Sequence, residues 1–164
     1  MRHIKYFVVP FVLSMVSLTS GCTGDAKNGT SFGGRQLSVP RTHQGAMPIK
    51  AVCTTGMVAD LVRNIGRDLV KVEQLMGADV DPHLYKVTSA DVAKLNAADI
   101  IFYSGLHLEG KMTDTLERMG KKKPVFPVAE YLKPNQVLSD EEKHPDPHVW
   151  FDVELWSAVA QTIG

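Results

Sequence analysis

Two stretches of the chain carry the same tripeptide, Asp81-Pro82-His83 and Asp146-Pro147-His148, each followed by an aliphatic and then an aromatic residue, Leu84-Tyr85 and Val149-Trp150. Proline fixes its own backbone angle and drives the preceding residue into an extended form, so each imidazole stands on a stiff loop. A stiff loop lowers the ordering cost of binding a ligand. A nearby Asp can accept a hydrogen bond from the second ring nitrogen and so decide where the free lone pair sits. Imidazole and carboxylate without a thiolate pair suit zinc, manganese or ferrous iron better than copper(I) or an iron–sulfur cluster. Two imidazoles do not complete a shell, since a structural zinc takes four protein ligands and a catalytic one usually three plus water. A single histidine at a loop end is most often a surface residue. It is the repeated context that makes His83 and His148 metal-ligand candidates.

The other candidates have blander readings. His107, in Ser104-Gly105-Leu106-His107-Leu108-Glu109, has apolar neighbours that fit a cleft wall or a packing role. His144, between Lys143 and Pro145, is expected in solvent, and His43 needs no function. Cys53 lies inside a β-rich run and reads as a small hydrophobe. Lys121-Lys122-Lys123 reads as a solvated helix end, where positive charge suits the helix dipole.

The elements that must hold these loops follow from apolar spacing. Ile49 to Thr54 is a β-rich run, followed by Thr55 as an N-cap and a helical face of Met57, Val58, Leu61, Val62 and Ile65 that stops near Gly66. Leu69 to Leu75 alternates like a strand, Thr88 and Ser89 can cap a helix carrying Val92 and Leu95, and Ala98 to Tyr103 reads as a buried strand. Leu108 to Met119 has the spacing of a helix, Pro124 to Val128 that of a short strand, and Asp152 can cap a last helix through Ile163. Strand and helix alternate, which predicts an α/β fold with a parallel four-stranded sheet flanked by helices. Ligands of such sheets bind beyond the carboxyl ends of the strands, which is where both Asp-Pro-His loops fall. No glycine-rich dinucleotide fingerprint or phosphate loop follows any strand. The 18 Lys+Arg balance the 18 Asp+Glu, so there is no basic field for nucleic acid, and two cysteines make no disulfide framework.

The 164 residues do not all belong to that unit. Arg2 and Lys5 precede an apolar run ending Leu18-Thr19-Ser20-Gly21-Cys22, the pattern of a lipoprotein signal peptide over 1–21 with Cys22 as the lipidated residue, an ordinary secretory signal being the alternative. The run is too short to span a bilayer as a stable helix. Residues 22–47 are poor in apolar residues and read as a flexible tether, leaving 48–164 as the α/β unit. A coil of that length reaches roughly 25–30 Å, enough to hold a body clear of a membrane surface.

Thr54-Thr55-Gly56-Met57, Val62-Arg63-Asn64-Ile65-Gly66, the two Asp-Pro-His loops with Val149-Trp150, and Tyr103 to Glu109 together resemble the TroA-like solute-binding lipoproteins of bacterial ABC importers. The resemblance covers about residues 48–164. It implies an exported, membrane-anchored protein on the periplasmic or cell-surface side that carries Zn²⁺ or Mn²⁺, with Fe²⁺ a further candidate, to an importer permease without catalysis. It also implies that His83 and His148 are the two metal ligands of an N-terminal lobe, with a Glu or His and an Asp supplied by a second lobe. The chain ends at Gly164 before such a lobe, so it is expected to be the N-terminal lobe of a longer protein. Ala129 to Lys143 holds no histidine, unlike the histidine-rich loop of many zinc-specific members, which leans toward manganese or a mixed preference, since members without the loop also handle zinc. Two rival functions remain on the residues alone. One is a metal-dependent hydrolase using the two-His site with Asp81, Asp146 or Asp152, although no His-Glu-x-x-His motif supports it. The other is an adhesin or interaction lipoprotein on the same scaffold.

Overall fold

The computed structural model of the protein describes residues 31–32, 35–36, 43 and 45–164. The stretch 1–21 read as a signal peptide, and Cys22, lie outside the described residues. Within the stretch read as a tether, β1 (Ser31–Phe32) and β2 (Arg35–Gln36) pair as a two-residue antiparallel ladder.

The main body is built on β3 (Ile49–Cys53), β4 (Val70–Gln74), β5 (Ile100–Tyr103) and β6 (Val125–Pro127), all parallel and ordered β4-β3-β5-β6. This is the expected four-stranded parallel sheet. Alternation along the strands divides the core between its two faces. Ala51, Cys53 and Phe102 join one cluster with Val58, Ala59, Val62 and Val159, which come from α1 (Gly56–Gly66) and α4 (Val153–Ile163). Val52 and Ile101 point to the other, with Leu95 from α2 (Ser89–Ala97) and Leu116 and Met119 from α3 (Thr113–Gly120). Cys53 is fully buried among these side chains, and burial pushes its thiol up to about 12, so it packs as a hydrophobe. Among the described residues no helix is long and apolar enough to cross a membrane.

The helices begin where their caps predict. Thr55 Oγ1 accepts from Val58 N, and Asp152 Oδ1 accepts from Glu154 N and Leu155 N at 2.9 and 3.0 Å. At α2, Thr88 and Asp91 form a capping box: Thr88 Oγ1 accepts from Asp91 N and the Asp91 carboxylate accepts from Thr88 N. Tyr85 Oη also donates to Asp91 Oδ2 at 2.7 Å, which pins the loop leaving His83 to this helix. Burial works against the Asp91 charge, but the hydrogen bonds from Thr88 and Tyr85 outweigh it and hold the carboxyl below its usual range.

Two expectations need correction. The helical spacing from Leu108 to Met119 is realised only from Thr113, after a 3-10 turn at Gly110–Met112. Gly105, Leu106 and His107 all have positive φ (83°, 52° and 64°), and Glu109, whose carboxylate turns back to Gly105 N, sits at φ −92° and ψ 46°, outside the α region, so no α-helix runs through Leu108 and Glu109. The lysine run is not wholly solvated either. Lys121 and Lys122 are exposed, but Lys123 Nζ donates to the carbonyls of Leu95, Asn96 and Ala98 at 2.9, 2.7 and 2.5 Å. It closes the carboxyl end of α2, whose last carbonyls lack partners within the helix. Desolvation there lowers the ammonium's pKa.

Candidate metal centre

Both Asp-Pro-His loops leave the carboxyl-terminal side of the sheet. In each, the Asp carboxylate accepts from the His backbone N–H two residues on, at 2.9 Å for Asp81–His83 and 3.0 Å for Asp146–His148. These matching Asx turns make each tripeptide a self-contained bracket that thrusts its imidazole outward. The two exposed rings meet although they are 65 residues apart, with Nε2 to Nε2 at 3.5 Å and ring centroids at 5.5 Å. A tetrahedral ion bonded to two imidazole nitrogens at about 2.0–2.1 Å would hold them about 3.3–3.4 Å apart. The observed gap matches that bite closely.

The two loops differ in how they orient the ring. Asp146 Oδ1 also lies 2.6 Å from His148 Nδ1, so it accepts from both the backbone and the ring of the same residue. Those two hydrogen bonds hold the Asp146 carboxyl below its ordinary value, backbone donation being the larger cause. An ionised carboxylate can only accept, so Nδ1 of His148 carries a proton, and the neutral form of the ring keeps its lone pair on Nε2, facing His83. Trp150 meets the His148 ring edge-on at 5.2 Å between centroids and limits its rotation. Asp146→Asn keeps the Asx turn and removes the charge that holds the tautomer. We expect about 10–100-fold weaker divalent-metal binding with unchanged circular dichroism. An unchanged dissociation constant would sink this role.

Beside the pair lies a cleft of about 600 Å³ lined by His83, Leu106, His107, Asp140, His144 and Asp146 among others. His107 forms part of its wall, and of a second cavity of about 350 Å³, as its apolar neighbours suggested. His144 is in solvent, its side chain 68% exposed, with Nδ1 3.1 Å from Asp140 Oδ2. The cleft contribution of 138–147 was missed by sequence reasoning. Asp140 accepts from His144 N, and Ser139 bridges Pro145 in a turn with Lys143 at positive φ, a closure no local periodicity announces. Glu109 was also missed. It is 2% exposed, and the only signal for it was an acidic residue set among apolar ones just after a strand. Among the described residues, no group of three or more His, Cys, Asp or Glu side chains is placed to hold one ion.

A family model described as the zinc-uptake complex component A, periplasmic (ZnuA), matches residues 51–164. The chain belongs to the ZnuA family. It is 49% identical over 109 residues to the manganese-binding lipoprotein MntA of Bacillus subtilis, covering 66% of this chain and 36% of that protein. To the zinc-binding protein TroA of Treponema pallidum it is 50% identical over 106 residues, 65% of this chain and 34% of that one. The solved structure of the T. pallidum periplasmic zinc-binding protein TroA superposes with a TM-score of 0.68 at 46% identity, over 70% of this chain and 42% of that chain. The chain thus spans about a third of the length of these curated ZnuA-family relatives.

Proposed function

We propose that this chain is the metal-binding lobe of an extracytoplasmic carrier that delivers Zn²⁺ or Mn²⁺ to an ABC importer, with His83 and His148 as its ligands. The observation that supports this reading is the 3.5 Å gap between the two Nε2 atoms, close to the spacing of two imidazole nitrogens on one ion. Residues 1–21 act as the signal peptide, Cys22 takes the lipid, and 22–47 link the anchor to the lobe at 48–164. The anchor leaves the lobe tethered at a membrane face beside the permease that receives the ion. The relatives named for manganese and for zinc support these two metals as cargo. They are named as binding proteins, which supports bind-and-release over hydrolysis.

Two imidazoles hold an ion through neutral lone pairs, so the remaining positions of its shell stay with water or other donors. Such a half-shell lets cargo leave. Equilibrium dialysis of the 164-residue chain against Zn²⁺ and Mn²⁺ tests the reading. We expect saturation near one ion per chain, reversed by chelator; a chain that binds neither metal saturably contradicts it.

A further inference from the structure

We propose that Glu109 is the positioning residue of this metal centre, holding the strand ends beneath it so that the two imidazoles keep their spacing. The inference rests on the reading of His83 and His148 as ligands and adds a residue that touches neither metal nor imidazole.

Glu109 sits in the loop after β5, and its carboxylate is satisfied by neutral donors. Oε1 accepts from Thr54 Oγ1 at 2.6 Å and from Ser104 N at 2.8 Å, and Oε2 accepts from Gly105 N at 3.2 Å. Burial raises its pKa while these hydrogen bonds work the other way. A buried carboxylate is expensive, and an apolar side chain of similar size would fill the same space more cheaply. What the carboxylate does that an apolar group cannot is to bind three donors from two strand ends at once.

Those strand ends lead to both histidines. Thr54 donates its N–H to Phe102 O at 3.1 Å and accepts at its own carbonyl from Met76 N at 2.9 Å, so the end of β3, β5 and the start of the chain running to His83 meet at this residue. On the other side, Ser104 O accepts from Ala129 N at 2.9 Å, fastening the 3-10 turn Val128–Tyr131. That turn packs on α4, and α4 packs on the 3-10 turn Val149–Phe151 that begins beside His148. Glu109 therefore stands where the support for one imidazole joins the support for the other. It also clamps the turn Gly105–His107, whose two non-glycine residues at positive φ are held only by their surroundings and form the wall of the cleft. Metal ligands must be held within about 0.5 Å of their productive geometry, so loosening this junction acts on the bite of the pair.

Four variants of the 164-residue chain test this. Glu109→Gln keeps the shape and places an NH₂ where an oxygen received an amide. Thr54→Val removes the hydroxyl donor, and Thr54→Ser keeps it. His83→Ala serves as the comparison. Zn²⁺ affinity is read by chelator competition at a temperature where circular dichroism shows each variant folded, and Co²⁺ visible absorption reports the ligand geometry. We expect about 10-fold weaker Zn²⁺ binding and a shifted Co²⁺ band for Glu109→Gln and Thr54→Val, with both restored in Thr54→Ser. If Glu109→Gln does not fold, the Thr54 pair decides. Lower melting temperatures with wild-type affinity and spectrum would make Glu109 a merely structural residue and overturn the inference. Wild-type affinity in His83→Ala would instead remove the metal-site reading beneath it.

Discussion

Replacing either His83 or His148 by alanine should weaken Zn²⁺ or Mn²⁺ binding by more than ~100-fold, beyond the effect of losing an outer hydrogen-bond partner. On the proposed reading each Nε2 supplies half of a two-point grip across 3.5 Å, and no third His, Cys, Asp or Glu is grouped with the pair among the described residues. With one imidazole gone, the ion is left on a single neutral nitrogen, which competes poorly with water. Folding should be untouched, because both rings are exposed and the Asx turns that shape their loops use the backbone N–H of residues 83 and 148. Isothermal titration with each ion, alongside urea denaturation of the same samples, separates the two effects. Titration curves that match the wild type would remove His83 and His148 from the site.

Ile101→Ala should cost about 3–4 kcal/mol of folding stability, the range for deleting a large aliphatic group from a tight core. Ile101 is fully buried in the middle of the sheet, its N–H bonded to Pro124 O at 3.0 Å, and its side chain packs with Leu95, Met112 and Leu116. α2 and α3 cover it from above, and the paired strands β3 and β6 hold the backbone on both sides, so the hole has little room to collapse. Against a typical total of about 5–15 kcal/mol, that loss would bring the chain near the edge of folding. Urea midpoints read it directly if the slope stays constant. The exposed Lys71, on the edge strand β4, gives a control, since Lys71→Ala should stay within about 0.5 kcal/mol. A shift for Ile101→Ala below about 1 kcal/mol would mean that this cluster does not carry the sheet.

The regular parts of the fold were legible because their causes are local or periodic. Thr55, Thr88 and Asp152 mark helix starts with side-chain oxygens that reach amides two or three residues on. The strands from Ile49, Ile100 and Val125 announce themselves by runs of apolar residues, and the edge strand from Val70 by alternation of apolar with exposed polar residues. The start of α3 was not legible. Leu108, Met112, Leu116 and Met119 keep helical spacing, but Leu108 is drawn into the core by a left-handed turn that precedes the helix. Lys123 was misplaced for a related reason: its partners are the carbonyls of Leu95, Asn96 and Ala98, more than twenty residues away. A run of lysines looks the same whether its last ammonium faces water or a helix end. Glu109 is the strongest case, because nothing in its immediate sequence shows that a carboxylate will turn inward to Thr54, 55 residues back.

The two Asp-Pro-His tripeptides carry their own short-range chemistry. Proline stiffens the loop, and the Asp oxygen reaches the His amide two positions later, so either bracket forms wherever the chain places it. Periodicity and caps likewise sufficed for a parallel α/β sheet with these brackets at its ligand-binding end. That the brackets face one another was settled by packing. The strand order β4-β3-β5-β6, and the seating of α4 against the turn that follows His148, close a 65-residue separation to 3.5 Å. Packing also broke the likeness between them, since Asp146 reaches the ring of His148 while Asp81 is fixed to the backbone of His83. Interactions within a few residues can be read along the chain. A spacing between two loops depends on every layer packed beneath them.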